Sequence, residues 1–457
     1  MNGKEILFSA LRRQPAPRVP WVPFAGVHAG QLTGADATQM LTDADKIIEA
    51  LTAVKRLYMP DGLPVLFDLQ LEAEILGCSL KWSKDTPPSV SSHPLEDELL
   101  IPDKRIHAED GRLGVALRAM TLAKERFGAD TALFGLICGP FTLASHLRGN
   151  DLFMDMYDEP EQVEQLLAYC ADCARDVAEL YLKAGCDVIA LVDPLVSQIS
   201  AAHFGELLEK PYAGLFSFLR ERGALSAFFV CGDATRNIEG MCKTRPDAIF
   251  VDENVDLPAA KRIADAHGVA MGGNLPLTSV MLHGSQQDNM KAVLDLMDAV
   301  TDKTGFILAP GCDMPYAIPP ENTIAAAQTA RDPESARAML RNYVAAGMDI
   351  KVDLPDYAAL KKPLLEVFSL DSASCAACTY MMSAAEAASE RFSGQVDLVE
   401  HKYTIKENIA RCRAMGVKKL PSLYINGTLA FSSLIPSPGE LDAQIRQALD
   451  SLKEHQA

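Results

Sequence analysis

The sequence predicts an α/β protein, a (β/α)8 barrel of the TIM type followed by a small second α/β domain. Short apolar or β-branched runs alternate with helical patterns from the start of the chain to about residue 345, which is a βα rhythm. About eight such runs can be counted, the number a closed parallel barrel requires, and each stops at a polar, glycine or cysteine residue. A new pattern, opened by the strand LLEVFSL and followed by a C-x-x-C, starts after residue 362. A doubly wound sheet would share the rhythm, so the count supports the barrel without deciding it.

Taken in order, the strand ends fall near Gly26 (after VPWVPFA), Asp68 (LPVLF), Gly139 (TALFGLIC), Asp193 (DVIALV), Cys231 (SAFFV), Asp252 (DAIFV), Asn274 (VAMGG) and Cys312 (GFILAPG). Intervening segments such as PEQVEQLLAYCADCARDVAELYLKAG (160–185) carry helical spacing and end in glycine, which stops a helix by adopting the left-handed conformation. Residues 1–345 are therefore assigned to the barrel, 346–362 to a linker and 363–457 to the second domain. In that domain the order reads strand (LLEVFSL, 364–370), C-x-x-C and helix, strand (QVDLVEH, 395–401), helix (404–416), strand (SLYING, 422–427), strand (TLAFSS, 428–433) and a final amphipathic helix (438–455).

Composition narrows the function. The 457 residues are 48% hydrophobic and 23% charged, ordinary for a globular chain with ample core. A formal net charge of −18, with no local cluster of Lys and Arg, argues against a nucleic-acid partner. The first twenty residues are amphipathic without the apolar stretch of a signal peptide, and no long uncharged apolar segment follows. A cytoplasmic protein without a membrane span is expected. Eleven cysteines are too few for a disulfide scaffold of this size, and metal or redox chemistry is the better expectation.

Cys231 and Cys312 each close an apolar run. Strand ends of a parallel barrel share one mouth, so two thiols distant in sequence can converge there as metal ligands; the plain alternative is two buried cysteines acting as small hydrophobes. FDLQLEAE places Asp68, Gln70, Glu72 and Glu74 at period two, on one face if the chain is extended and scattered if it is helical. His28 and His146 lie in or after strand-end segments and could supply nitrogen, although a lone histidine in such a place is more often a structural one. Met381 and Met382 read as core.

In the second domain C-A-A-C stands at a strand-to-helix junction, where the helix dipole and backbone N–H groups favour a thiolate. Cys375 is the expected attacking thiol, and Cys378, one turn on, the resolving one. Pro421 precedes a strand and follows the helix containing Cys412. The segment resembles the thioredoxin-like superfamily along its whole length, which implies a redox dithiol with Pro421 as a cis-proline beside it. A zinc half-site or a docking module remain the other readings of this C-x-x-C.

The first domain carries GPFTLASHLRG (139–149), DPLVSQISAAHFGELLEKPY (193–212), FVCGDAT (229–235), IFVDENVDL (249–257), GGN (272–274) and GFILAPGCDMPYAIPPEN (305–322). These resemble the uroporphyrinogen decarboxylase superfamily, and within it the zinc-dependent corrinoid methyltransferase branch, over roughly residues 1–345. The decarboxylases of that superfamily carry an N-terminal arginine-rich segment that binds substrate carboxylates; VPWVPFAGVHAGQLTG (19–34) holds no arginine. Decarboxylation is therefore the alternative. The methyltransferase branch implies a zinc held by an H-x-C at one strand end and a second cysteine near the close of the barrel. Cys231 and Cys312 match the thiols, and Phe229 stands where the histidine would be. Related cobalamin-independent methionine synthases place a glutamate between their two cysteines, which makes Glu253 the candidate third ligand.

The resemblance implies zinc as cofactor and a methylcorrinoid carried on a separate protein, since no D-x-H-x-x-G corrinoid segment occurs in the chain. The reaction expected is methyl transfer to a thiol, such as coenzyme M or homocysteine, or to a tetrahydrofolate. Glu72, Glu74 and Asp193 are the candidate catalytic acids, and Gly273 and Asn274 the candidate cofactor-binding residues. A homodimer is compatible with the chain. A second class of function, a redox-linked binder of a tetrapyrrole or corrinoid without turnover, stays open because of Phe229.

Overall fold

The computed structural model describes residues 1–344, 350–372 and 375–456. The start of the expected linker, at residues 346–349, lies outside the described residues. Two compact units are present, Met1–Ala345 and Ala346–Ala457, each with its own sheet.

In the first unit seven strands pair in parallel in chain order: Gly62–Pro64, Ala132–Cys138, Val188–Val192, Leu225–Val230, Ala248–Val251, Ala270–Leu275 and Phe306–Pro310. They read as near-continuous apolar runs and are buried along their length, as parallel strands covered by helices must be. The run VPWVPFA does not form a full strand. Its prolines at 20 and 23 have no N–H to give a ladder, and what remains is a single parallel bridge, Trp21 to Leu308. That short segment nevertheless joins both edges of the sheet. Val22 N–H donates to Leu308 O at 3.0 Å, Leu308 N–H to Pro20 O at 2.9 Å and Asp61 N–H to Trp21 O at 2.9 Å, so the ring closes.

Side chains pointing inward fill the ring. Phe24, Phe67, Phe134, Phe229 and Phe250 meet there at centroid distances of 4.7–6.3 Å, with Ala190, Ala227 and Ala309 beside them. This is a packed core, not a pore. Helices such as Pro160–Lys183 bury one stripe against the outside of the sheet and end at Gly185 in a positive-φ conformation.

The second unit orders its four strands Asp397–Lys402, Leu364–Ser369, Ser422–Ile425 and Thr428–Ser432, the first pair parallel and the others antiparallel. Along the chain its elements run β-α-β-α-β-β-α. Leu365, Val367, Met381, Leu423, Leu441 and Ile445 form its core. No helix among the described residues is long and apolar enough to cross a membrane.

Candidate active site at the barrel mouth

Loops that follow the C-terminal strand ends build the mouth. Cys231 follows Leu225–Val230 directly and Cys312 lies two residues past Phe306–Pro310, and their sulfurs are joined as a disulfide with Cα atoms 5.7 Å apart. Glycines make the approach feasible. A Cβ on Gly311 would lie 2.7 Å from the Glu253 backbone nitrogen, so the chain before Cys312 runs tight against residue 253. Gly232 has φ +86°, and a Cβ there would come within 2.7 Å of Ser197 Oγ.

Carboxyls stand at the neighbouring strand ends, Asp252 buried and Glu253 and Asp313 partly exposed. Glu253 accepts the Leu277 N–H, and burial, reinforced by neighbouring Asp252, pushes its carboxyl up to about 8. Asp252, itself raised by burial, accepts the Asn254 N–H at 2.9 Å. Asp313, beside Cys312, is pushed well above the usual carboxylate range by burial, and its Oδ1 has no hydrogen-bond partner. It lies so close to Gly26 that a Cβ there would overlap the carboxylate, which explains a glycine at that position. Sequence reasoning missed Asp313, although its place in GCDMPY next to Cys312 marks it.

The segment after the strand Gly62–Pro64 departs from the alternating pattern. Glu72 and Glu74 lie on the helix Leu71–Ile75, so the extended alternative for Asp68, Gln70, Glu72 and Glu74 fails. The helix forms because Asp68 accepts the Gln70 N–H at 3.0 Å and turns the chain. Arg112 then gathers Asp68 and Glu74 as ion pairs, the latter at 2.7 Å, while its guanidinium lies 4.9 Å from the Trp82 ring centre. Glu72 points elsewhere. It is 1% exposed, accepts the Cys138 N–H through Oε1 at 3.2 Å, leaves Oε2 without a partner, and burial raises it to about 7.

Asp193, directly after the strand Val188–Val192, serves the fold. It accepts the Phe141 N–H at 2.9 Å, the Thr142 N–H at 3.0 Å and the Thr142 hydroxyl at 2.6 Å, and Tyr212 OH donates to it. These cap the helix Pro140–Arg148 from a neighbouring strand; burial raises the carboxyl to about 6 against the lowering effect of the bonds. Asn274 donates its amide to Asp252 O and Val255 O, both at 2.8 Å, after a cis Gly273–Asn274 peptide, so it ties two strand-end loops together. His28 is bonded at both nitrogens, to Tyr316 O and Tyr58 OH, and burial lowers it to about 4. Burial, with a smaller contribution from the neighbouring His93, takes His146 to about 3.

A catalytic zinc takes three protein ligands and leaves one position open. Cys231 and Cys312 supply two sulfurs once reduced. Phe229, two residues before Cys231, packs 4.7 Å from Phe24 and 5.7 Å from Phe250 in the barrel core, and Glu253 is engaged by Leu277. Among the described residues no group of three or more His, Cys, Asp or Glu is arranged to hold a metal. The donor set as folded therefore does not fit the ion.

In the second unit Cys375 is partly exposed at the start of the helix Ala376–Arg391. Cys378 is buried, its sulfur accepts the Leu370 N–H at 3.2 Å, and burial pushes its thiol well up. The Leu420–Pro421 peptide is cis.

Comparison with known proteins agrees with the barrel. The chain is 30% identical over 326 residues to the methylcobamide:CoM methyltransferase MtbA of Methanosarcina mazei, covering 70% of this chain and 94% of that protein. It is 25% identical over 340 residues to the methylcobamide:CoM methyltransferase MtaA of Methanosarcina barkeri, covering 72% and 97%. A solved methyltransferase structure from Methanosarcina mazei superposes with a TM-score of 0.66 at 22% identity, over 73% of this chain and 99% of that one. Residues 2–333 match the uroporphyrinogen decarboxylase (URO-D) family. With that match spanning most of the chain, and with a closed parallel barrel beneath it, the chain belongs to the uroporphyrinogen decarboxylase family.

Proposed function

We propose that the chain is a corrinoid-dependent methyltransferase, moving a methyl group from a methylcorrinoid carried on a separate protein to a small thiol. The observation that carries this reading is the convergence of Cys231 and Cys312 at the mouth of a barrel whose relatives are methylcobamide:CoM methyltransferases. In the transfer the thiol sulfur takes the methyl group as a cation, both electrons of the cobalt–carbon bond stay on cobalt, and the thiol proton must be accepted. Glu72 suits that role. A carboxyl at about 7 is substantially ionised near neutral pH and can take a proton there. Burial disfavours the ionised forms of Asp252, Glu253 and Asp313 at the rim.

The same rim disfavours the decarboxylase alternative. A substrate with several carboxylates needs cations, and Arg112 is already committed to Asp68 and Glu74. A folate acceptor remains an outcome of the test. A zinc ion would require both cysteines reduced and Glu253 turned from Leu277 to complete the set; metal content of the reduced protein, beside that of Glu253→Gln, tests it.

The second unit is read as a thioredoxin-like dithiol module. Its β-α-β-α-β-β-α order, the partly exposed Cys375 with a buried Cys378, and the cis-proline at 421 support this. The decisive experiment is incubation of the reduced protein with methylcobalamin and, separately, coenzyme M, homocysteine and tetrahydrofolate, with loss of the methylcobalamin spectrum as readout. A thiol acceptor should be methylated, and Glu72→Gln should slow the reaction about 10²-fold, the low end of general-base effects. Binding of the corrinoid with no methylated product from any acceptor would favour the redox-linked binder, the reading that Phe229 supports.

A further inference from the structure

We infer that Cys231 and Cys312 form a reversible dithiol–disulfide couple at the barrel mouth, occupying the place where relatives with an H-x-C would hold a metal. The inference rests on the barrel reading, not on the methyl-transfer activity. Three observations converge. First, the two sulfurs are bonded across 81 residues, between strand-end loops held close by Gly232 and Gly311. Second, the donor set is incomplete: Phe229 belongs to the aromatic core, and no third ligand is grouped with the pair among the described residues.

Third, accessibility singles out these two. Of the eight cysteines in the barrel unit, Cys78, Cys138, Cys170, Cys173, Cys186 and Cys242 are buried, and burial raises every one of their thiols. Cys231 and Cys312 alone among them are partly exposed. Thiol–disulfide exchange needs a sulfur that an attacking thiolate can reach, and the buried six offer none.

The exchange balances with a dithiol as reductant. Its thiolate attacks one sulfur of the pair, the Cys231–Cys312 bond breaks, and the departing sulfur leaves as a thiolate that takes a proton from water. The second thiol of the reductant, losing its proton, then displaces the first sulfur, so the reductant leaves as a disulfide and the barrel holds two thiols. Oxidation is the reverse, with a disulfide of the same class as oxidant. The closed form has no free sulfur at the mouth; the open form presents two.

The test is differential alkylation of the full-length native protein, equilibrated in defined mixtures of reduced and oxidised dithiothreitol and read by peptide mass spectrometry. Labelling of Cys231 and Cys312 should rise together, from under a tenth to over nine tenths, within about a hundredfold change in the ratio of reduced to oxidised reagent, as a two-electron couple requires. The six buried cysteines should stay unlabelled. In Cys231→Ser the Cys312 thiol should label at every ratio, and a variant that fails to fold leaves the wild-type titration decisive. Three results would overturn the inference: both thiols free at the most oxidising ratio, a disulfide that resists reduction in the native state, or about one zinc per reduced chain that protects the pair from alkylation. None of these readouts uses methyl transfer, so an inactive but redox-responsive protein would leave the couple standing and remove only the proposed activity.

Discussion

At Glu72 burial lifts the carboxyl from 4.5 to about 7, while its Oε1 still accepts the Cys138 N–H and Oε2 has no partner. A folded-state pKa raised above the unfolded value means that the native chain binds more protons between those two limits, so the stability present below about pH 4.5 is lost as pH rises through 7. Glu72→Gln keeps an acceptor for Cys138 and removes the titration. The expected outcome is a variant of near wild-type stability at pH 4.5 that exceeds wild type at pH 8 by roughly 2–3 kcal/mol. Urea midpoints at the two pH values check it, and a constant difference between variant and wild type would refute the assignment. His28 and His146 work in the opposite sense. Their folded values, about 4 and about 3, lie below the ordinary 6.5, so the unfolded chain binds the extra protons and stability falls as pH drops below 6.5.

Among the elements, the strands between residues 132 and 310 were legible because each is a buried apolar run with no competing pattern, and their ends at Gly139, Asp193, Cys231 and Asp252 coincide with the observed strand ends. The two N-terminal runs were not. Pro20, Pro23 and Pro64 limit the ladder there to a bridge and a strand of three residues, and hydrophobicity does not register a missing donor. Nor could the alternation in FDLQLEAE reveal that Asp68 turns the chain into a helix, or that Arg112, far along the sequence, collects Asp68 and Glu74. Convergence of Cys231 with Cys312 followed from the barrel itself, whereas the unfilled third ligand position followed only from seeing Phe229 in the core. Asp193 shows how a strand-end acid can serve architecture. It holds the first turn of Pro140–Arg148 through two backbone N–H groups and the Thr142 hydroxyl. Asp193→Ala would strand those donors and the Tyr212 hydroxyl in a buried place, at a cost of about 3 kcal/mol. A denaturation midpoint unchanged from wild type would show that water replaces the carboxylate.

Across the whole molecule the apolar material is divided between cores that share no residue. Among the described residues one lies in the barrel interior around Phe24, Phe134, Phe229 and Phe250, and the main core of the second unit lies around Leu365, Val367, Met381 and Leu423, with a smaller cluster of Phe368, Cys412 and Tyr424 in the same unit. Cooperativity follows shared burial, so chains with separate cores unfold as separate units and a single two-state transition does not describe them. The chain carries its own reporter of this division, because its two tryptophans, Trp21 and Trp82, both belong to the barrel unit. Tryptophan fluorescence therefore follows the barrel alone, while far-ultraviolet circular dichroism follows both units. Leu365, fully buried, is the lever for the second core. Leu365→Ala should cost the second unit about 2–4 kcal/mol through lost burial and the cavity left behind. The dichroism curve should then split or broaden toward lower denaturant, while the fluorescence midpoint stays where it was. Phe250→Ala should do the reverse, moving the fluorescence midpoint and leaving the other phase of the dichroism curve in place. A fluorescence midpoint that moved with Leu365→Ala would mean that the two cores fold as one cooperative unit despite having no residue in common.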